Sequence, residues 1–234
     1  MRRPRRVNGI VSRGGGDRLA AMDRDFWLDK WDRDEIGFHK AAAHPALVAH
    51  IDRLGLPEGG RVFLPLCGKT RDIGWLRARG YRVAGIEFSQ RAVDALFADL
   101  GVAPERTRED ALTRHAVPGL DIFTGDVFDL DADRLGPVDG VYDRAALVAL
   151  PEGTRPRYAA HVGTLTDCAP QLLISFEYDQ AAMRGPPFAV DASALEGYYG
   201  DGYDLALLAR DPVAGGLKGR CPADETVWLL RGKG

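Results

Sequence analysis

One stretch of the chain, residues 61–87, most constrains the fold that this sequence can adopt. It opens with a short apolar run, typical of a buried parallel strand, and the turn at residues 67–69 interrupts that run. Residues 70–79 then carry apolar side chains at helical spacing, and a second β-branched run, residues 81–86, leads to Glu87. The order strand, turn, helix, strand predicts one unit of a parallel α/β sheet.

The acid at the end of this unit indicates a nucleotide ligand. Glu87 lies 19 residues after Gly68, which is the kind of spacing at which doubly wound folds place a carboxylate on ribose hydroxyls. The turn has a single glycine where a dinucleotide-binding turn needs several, so a ligand with a ribose but no phosphate fits better. S-adenosylmethionine is such a ligand, and the sequence predicts it as the cofactor.

Other interpretations of the same turn stay open at this level. Residues 68–70 match the end of a phosphate-binding loop, but Phe63 stands where that motif requires a glycine. A simpler alternative is an ordinary βαβ unit in which Glu87 is only a solvated acid at a strand end. Cys67 in this turn is either a nucleophile or, as is more common for such a cysteine, a small packing residue.

Composition and charge limit the classes to which this protein can belong. The chain has 234 residues, of which 45% are hydrophobic and 28% charged, as is typical of a folded globular protein. Its net charge of −3 argues against a nucleic-acid surface, and no apolar run is long enough to cross a membrane. We therefore expect a small-molecule substrate, no nucleic-acid or membrane partner, and a monomer.

The amino-terminal region and the cysteines add further expectations. Residues 1–21 are rich in arginine and glycine and lack the apolar core of a signal peptide. We expect them to be a disordered extension, or to precede the true start, with the folded domain at residues 22–234; a tail that binds nucleic acid or membrane is the alternative. Cys67, Cys168 and Cys221 match no zinc or disulfide spacing, which favours a cytoplasmic protein without a metal.

Further strand and helix patterns follow the first unit. Apolar runs predict strands at residues 120–127, 138–142 and 171–176, with helical patterns between them, and a final strand pair at 203–209 and 226–230. This order predicts a doubly wound, mostly parallel seven-stranded sheet with an antiparallel edge, the Rossmann-like α/β class. Ligands of such sheets bind beyond the carboxyl ends of the strands.

A set of short motifs resembles the thiopurine S-methyltransferase family. The motifs are FWLDKW at 26–31, IGFH at 36–39, FLPLCGKT at 63–70, GIEFS at 85–89, DRAALVALP at 143–151 and GPPF at 185–188. They occur in the family's order over roughly residues 25–232, whereas the arginine-rich start and residues 215–224 match no part of its pattern. The resemblance implies a class I methyltransferase that uses S-adenosylmethionine to methylate sulfur, or a related selenium or tellurium centre. It therefore also implies a small-molecule thiol or chalcogen substrate.

The resemblance also implies which residues form the site. The cofactor-binding residues carried over by motif are Trp27, Trp31, Leu66, Glu87, Asp126, Val127 and Arg144. On the substrate side, Phe38 faces the acceptor, while Pro187 and Phe188 help to close the pocket. No catalytic residue is assigned, because methyl transfer to a thiolate depends mainly on alignment; His39 and Asp179 are the candidates for a general base.

Several assignments remain open from the sequence. The tryptophans of the FWLDKW motif are either core residues or part of a flap, residues 25–38, that covers the sulfonium. Arg144 either binds the methionine carboxylate of the cofactor or orients the substrate, or it forms a salt bridge with Asp143 or Glu177. The alternative functions are methylation of a halide or another small nucleophile, and cofactor binding without turnover.

Overall fold

The computed structural model describes residues 21–33 and 42–233, and the strands in these ranges form one nine-stranded sheet. In chain order they are β1 (Arg61–Leu64), β2 (Arg82–Glu87), β3 (Glu105–Glu109), β4 (Leu112–Val117), β5 (Leu120–Thr124), β6 (Gly140–Arg144), β7 (Gln171–Glu177), β8 (Tyr203–Pro212) and β9 (Asp224–Gly232). Across the sheet the order is β3-β4-β5-β2-β1-β6-β7-β9-β8. The strands from β5 to β7 are parallel, and both edges are antiparallel. The winding direction reverses between β1 and β6, where doubly wound sheets bind ligands.

The predicted fold class is confirmed, but the sheet has nine strands where the sequence predicted seven. The antiparallel edge formed by β8 and β9 agrees with the prediction. The additional strands, β3 and β4, form a hairpin on β5 and give the sheet a second antiparallel edge. The sequence of β3 is ERTRE, without any apolar residue, so a hydrophobic pattern contains no signal for it.

Helices cover both faces of this sheet. They are α1 (Ala21–Asp32), α2 (Pro45–His50), α3 (Arg71–Ala78), α4 (Gln90–Leu100), α5 (Ala132–Leu135), α6 (Arg155–Leu165) and α7 (Ala192–Tyr199). Helices α2, α3 and α4 bury Leu47, Ile73 and Val93 on one face, while α6 and α7 bury Tyr158 and Leu195 on the other. The result is the three-layer arrangement expected of alternating strands and helices.

The central strands are buried on both faces, which explains their continuous apolar sequences. In β1, Val62 and Leu64 join the cluster under α2–α4, while Phe63 joins the cluster under α6 and α7. Because all three side chains are almost fully buried, the hydrophobic effect fixes β1 in the middle of the sheet. Because β1 is fixed, the loop that joins it to α3 is fixed as well.

The unit formed by β1, α3 and β2 agrees with the sequence prediction. Thr70 caps α3 and Ser89 caps α4, each accepting a backbone hydrogen bond through its side-chain oxygen. Within β2, a Cβ atom on Gly85 would lie 2.9 Å from the sulfur of Cys67. The glycine therefore allows the turn after β1 to pack closely against β2.

Candidate active site

A cavity of about 680 Å³ lies beyond the carboxyl ends of the central strands. Its lining comes from the turn after β1, the ends of β2, β6 and β7, helix α1 and the loop between β8 and β9. A concave site of this size, mostly apolar with a few polar groups, is typical of small-ligand binding. The predicted site residues that line it are Trp27, Trp31, Leu66, Glu87, Arg144 and Pro187.

Glu87 ends β2 and is only 4% exposed. Its Oε2 accepts a hydrogen bond from the Gly68 N–H at 2.9 Å, and its Oε1 accepts one from the Ser89 N–H at 2.8 Å. Burial raises the pKa of Glu87 from 4.5 to about 7, although the backbone hydrogen bonds favour the ionised form. The carboxylate is thus held in one orientation, and each oxygen keeps a lone pair for a ligand hydroxyl.

The turn after β1 brings its backbone to the cavity. Leu66 and Gly68 adopt φ values of 48° and 52°, in the left-handed region. A Cβ atom on Gly68 would lie 3.1 Å from Cζ2 of Trp31, so glycine lets the indole pack on the turn. Desolvation, together with the charge of Glu87, raises the pKa of the buried Cys67 thiol well above 9.0. Cys67 is buried and its sulfur packs against Gly85, as expected of a packing residue.

Helix α1 contributes aromatic side chains to the cavity. Trp31 is 5% exposed, Trp27 is half-buried and Phe26 is 42% exposed, and all three line the cavity. The end of α1 is joined to α4, because Arg91 lies 3.6 Å from the Asp32 carboxylate and donates to the Asp32 carbonyl at 3.2 Å. The tryptophans therefore belong to the ligand cavity and not to the core between sheet and helices.

Arg144, at the end of β6, lines the cavity and is half-buried. Asp143 accepts hydrogen bonds from the Tyr158 hydroxyl at 2.7 Å and from a backbone N–H at 3.1 Å, and burial raises its pKa to about 6. Glu177 accepts two hydrogen bonds from Arg210, at 2.6 and 2.8 Å. Asp143 and Glu177 thus each bond other groups as well, and a cofactor role for Arg144 stays a prediction.

Asp126 and Val127 do not line the cavity, although they lie next to it. The Gly125 N–H donates to the Glu87 carbonyl at 3.0 Å, which brings this segment beside the end of β2. The Asp126 carboxylate accepts a hydrogen bond from the Phe128 N–H at 3.1 Å and so begins a short 3-10 helix. A cofactor role for this segment stays a prediction.

The predicted substrate residues differ in their placement. Pro187 lines the cavity, whereas Phe188 does not. The ring of Phe188 packs against the guanidinium of Arg155, 5.2 Å from the ring centroid, and its N–H donates to the Val148 carbonyl at 2.7 Å. Phe188 therefore supports the segment that carries Pro187, and a direct contact with substrate stays a prediction.

Three further expectations concern residues that the structure does not place in the cavity. Phe38 and His39 fall within residues 34–41, as do the last five residues of the predicted flap, and these lie outside the described residues. Asp179 is exposed and does not line the cavity; its carboxylate accepts a hydrogen bond from the Ala181 N–H at 2.9 Å. Asp179 is therefore not placed to act as the general base.

Sequence patterns did not single out four polar residues that line the cavity: His44, Asp72, Tyr142 and Glu225. They come from the start of α2, the start of α3, β6 and β9. No local motif links them, because they are brought together only by the sheet. We call these four residues the polar cluster.

The loop between β8 and β9 also forms part of the cavity. Its lining residues are Val213, Ala214, Gly216, Leu217 and Lys218. Leu217 and Cys221 pack with Met183 in a small apolar cluster, and Lys218 Nζ donates to the Pro186 carbonyl at 2.7 Å. This loop, which matched no family motif, is thereby joined to the proline segment at the same side of the cavity.

Comparison with known proteins identifies the family. The family model for thiopurine S-methyltransferase matches residues 22–229. A thiopurine S-methyltransferase of Xanthobacter autotrophicus is 56% identical over 210 residues, which cover 89% of this chain and 99% of that protein. The chain belongs to the thiopurine S-methyltransferase family. Membership confirms the resemblance drawn from the motifs, and with it an S-adenosylmethionine-dependent methyltransferase.

Other members of the thiopurine S-methyltransferase family show the same extent of similarity. The protein of Gluconobacter oxydans is 48% identical and that of Teredinibacter turnerae 46% identical. These matches cover 87% and 89% of this chain, and 92% and 97% of the respective relatives. The family likeness therefore extends over nearly the whole of each relative.

Solved structures support the methyltransferase fold. A Burkholderia thailandensis 1,6-didemethyltoxoflavin-N1-methyltransferase, with bound S-adenosylhomocysteine, has a TM-score of 0.61 at 17% identity, over 91% of this chain and 88% of that chain. A magnesium protoporphyrin IX methyltransferase from Synechocystis has a TM-score of 0.60 at 15% identity, over 89% and 99% of the two chains. At such identities the likeness concerns the fold alone.

Two further properties concern the described part of the chain. Within residues 21–33 and 42–233, no group of three His, Cys, Asp or Glu side chains is placed to hold a metal ion. None of the helices in these ranges has the length and apolar character needed to span a bilayer.

Proposed function

We propose that this member of the thiopurine S-methyltransferase family transfers the methyl group of S-adenosylmethionine to the sulfur of a small aromatic or heteroaromatic thiol. The observation that carries the proposal is Glu87, which is held by two backbone N–H groups at the end of β2 and lines the cavity. The family supports sulfur as the acceptor atom. The apolar lining from Trp27, Trp31 and Pro187 suits a flat ring.

The residues of the cavity fit this cofactor. Glu87 offers oxygen lone pairs for two ribose hydroxyls, and Gly68 leaves space that a side chain would take from Trp31. Trp27 and Trp31 offer aromatic faces to a sulfonium, an interaction worth about 0.5–2 kcal/mol. Arg144 supplies a guanidinium for the methionine carboxylate.

When bound, the cofactor supplies an electrophilic methyl group on a positively charged sulfur. The protein orients the reactants and excludes water, and well-oriented reactants account for about 7–11 kcal/mol of barrier lowering in intramolecular models. Trp31 and Leu217, both buried, close the cavity from two sides, α1 and the β8–β9 loop. Aromatic thiols ionise near neutral pH, so the thiolate attacks without a protein base.

Methyl transfer from labelled S-adenosylmethionine to a panel of acceptors tests the proposal. The panel pairs aromatic and heteroaromatic thiols with catechols, amines, carboxylates and halides of similar size. We expect the highest kcat/KM with the thiols, and little transfer by Glu87→Gln with any acceptor. An oxygen, nitrogen or halide acceptor that outran every thiol would overturn the assignment, and cofactor binding without transfer would show a binding protein.

A further inference from the structure

The polar cluster lines the cavity but has no part in holding the cofactor as proposed above. His44 and Asp72 are buried, and so is Tyr142, while Glu225 is half-buried. Buried polar groups usually have hydrogen-bond partners, because burial removes their hydrogen bonds to water. We therefore ask whether each polar side chain of the cluster already has a hydrogen-bond partner within the protein.

Two members of the polar cluster make bonds that join structural elements. The Asp72 carboxylate accepts hydrogen bonds from the His44 N–H at 2.7 Å and from the Thr70 hydroxyl at 2.9 Å, linking α2 to α3. His44 Nδ1 accepts from the Ala46 N–H at 3.3 Å, so its Nε2 carries the proton and lies 3.4 Å from Glu225 Oε2. His44 is thus occupied as a helix cap and is not available as a base.

Tyr142 differs from the other members of the cluster. It is 2% exposed, and its hydroxyl makes no hydrogen bond to any residue that the structure describes. Burial, and then the charge of Asp72, raises the pKa of Tyr142 well above 10.0, so the hydroxyl keeps its proton at neutral pH. Asp72 and Glu225 place negative charge near the hydroxyl, and Arg144 places positive charge there.

We propose that the Tyr142 hydroxyl recognises the acceptor by a hydrogen bond to a heteroatom adjacent to the sulfur-bearing carbon, as in a thiol on a nitrogen heterocycle. This inference rests on the proposed function, since it concerns the acceptor in the same cavity. A hydroxyl donates and accepts, so it suits either the thiol or the thione form of such a ring.

The chain offers a matched control for this test. Tyr199 is also 2% exposed, and its hydroxyl likewise lacks a hydrogen-bond partner among the described residues. Unlike Tyr142, it does not line the cavity. Tyr142→Phe and Tyr199→Phe therefore remove the same kind of group, one beside the cavity and one away from it, and both variants should keep the wild-type melting temperature.

Steady-state kinetics with pyridine-2-thiol and thiophenol tests the inference. We expect Tyr142→Phe to raise KM for pyridine-2-thiol about 3- to 10-fold, the loss of one neutral hydrogen bond, with KM for thiophenol and for S-adenosylmethionine unchanged. Tyr199→Phe should leave all three values unchanged. Equal effects on both thiols, equal effects of the two variants, or no effect at all would overturn the inference.

Calorimetry separates this inference from the proposed function. Pyridine-2-thiol is titrated into wild type and Tyr142→Phe, each saturated with S-adenosylhomocysteine, so that no turnover is needed. Weaker binding by the variant supports the role of Tyr142, whether or not the wild type transfers a methyl group. Absent transfer by the wild type would overturn only the proposed function. Equal or absent binding in both proteins would overturn the inference itself.

Discussion

The ionisation of Glu87 connects ligand binding to pH at the scale of a single residue. Burial raises its pKa to about 7. In the proposed cofactor role, only the carboxylate would accept hydrogen bonds from both ribose hydroxyls while keeping the bonds from Gly68 and Ser89. Binding therefore favours the ionised form, and affinity increases as pH rises through 7. We expect S-adenosylhomocysteine to bind about tenfold more tightly at pH 8 than at pH 6, as measured by calorimetry.

The isosteric variant Glu87→Gln isolates this effect. An amide presents a donor to one of the two backbone N–H groups and accepts fewer ligand hydrogen bonds, so affinity at pH 8 should fall about 10²-fold. The increase between pH 6 and pH 8 should disappear in the variant. Wild-type affinity in Glu87→Gln, or an unchanged pH dependence, would remove Glu87 from the cofactor site.

At the scale of elements, Asp121 joins three strands. Its carboxylate accepts hydrogen bonds from Arg61 of β1 at 2.9 Å and from Arg114 of β4 at 2.6 Å, while Asp121 itself belongs to β5. Arg61 is largely buried, and it also donates to the Leu135 carbonyl. Because Asp121→Asn leaves this guanidinium without its counter-charge, we expect a loss of about 1–3 kcal/mol of unfolding free energy in urea titrations.

An exposed ion pair of the neighbouring hairpin gives the control. Asp94 of α4 contacts Arg106 of β3 at 2.7 Å, with both side chains at least half exposed. Asp94→Asn should change the unfolding free energy by less than about 1 kcal/mol, because water screens the pair. Equal losses in the two variants would contradict the anchoring role of Asp121.

Helix α1 is the element whose behaviour should depend most on the ligand. A helix this short is marginal by itself, and α1 contacts the rest of the chain through Trp31 on Gly68 and through Asp32 beside Arg91. A bound cofactor adds surface for the tryptophans. We expect trypsin cleavage after Lys30 and Arg33 to slow when S-adenosylhomocysteine is added.

Cleavage after Arg108, in the hairpin of β3 and β4, gives the reference rate for this experiment. Arg108 is exposed and does not line the cavity, so its cleavage rate should not respond to the ligand. If the rates at Lys30 and Arg33 also failed to respond, α1 would be a fixed part of the structure and the flap prediction would be wrong.

At the scale of the whole molecule, the site is built from residues that follow the arginine-rich start. The family match begins at residue 22, and the cavity is lined by residues from Phe26 onward. Deleting residues 1–21 should therefore leave kcat/KM and the melting temperature essentially unchanged. A large loss of kcat/KM in the truncated protein, at an unchanged melting temperature, would assign these residues a functional role.

The sequence predicts most of the central sheet because buried parallel strands leave a strong local pattern. The spacing from Gly68 to Glu87 predicts that the carboxylate lies beside the turn, since strand, turn and helix fix where it lies, and the motifs then favour a cofactor role for it. The hairpin strand β3 has polar residues only, so no hydrophobic pattern marks it. Tyr142 and Glu225 meet only through the sheet, and a local reading of the sequence cannot pair residues so far apart.

The close packing of Trp31 on Gly68 has a consequence for how this family diverges. The two positions share one volume, since a single added carbon at Gly68 would already press on the indole at 3.1 Å. A substitution at one position therefore requires a substitution at the other. A relative with a side chain at the position of Gly68 must carry a smaller ring or none at the position of Trp31. The turn and the helix should therefore co-vary across an alignment, although 36 residues separate them in sequence.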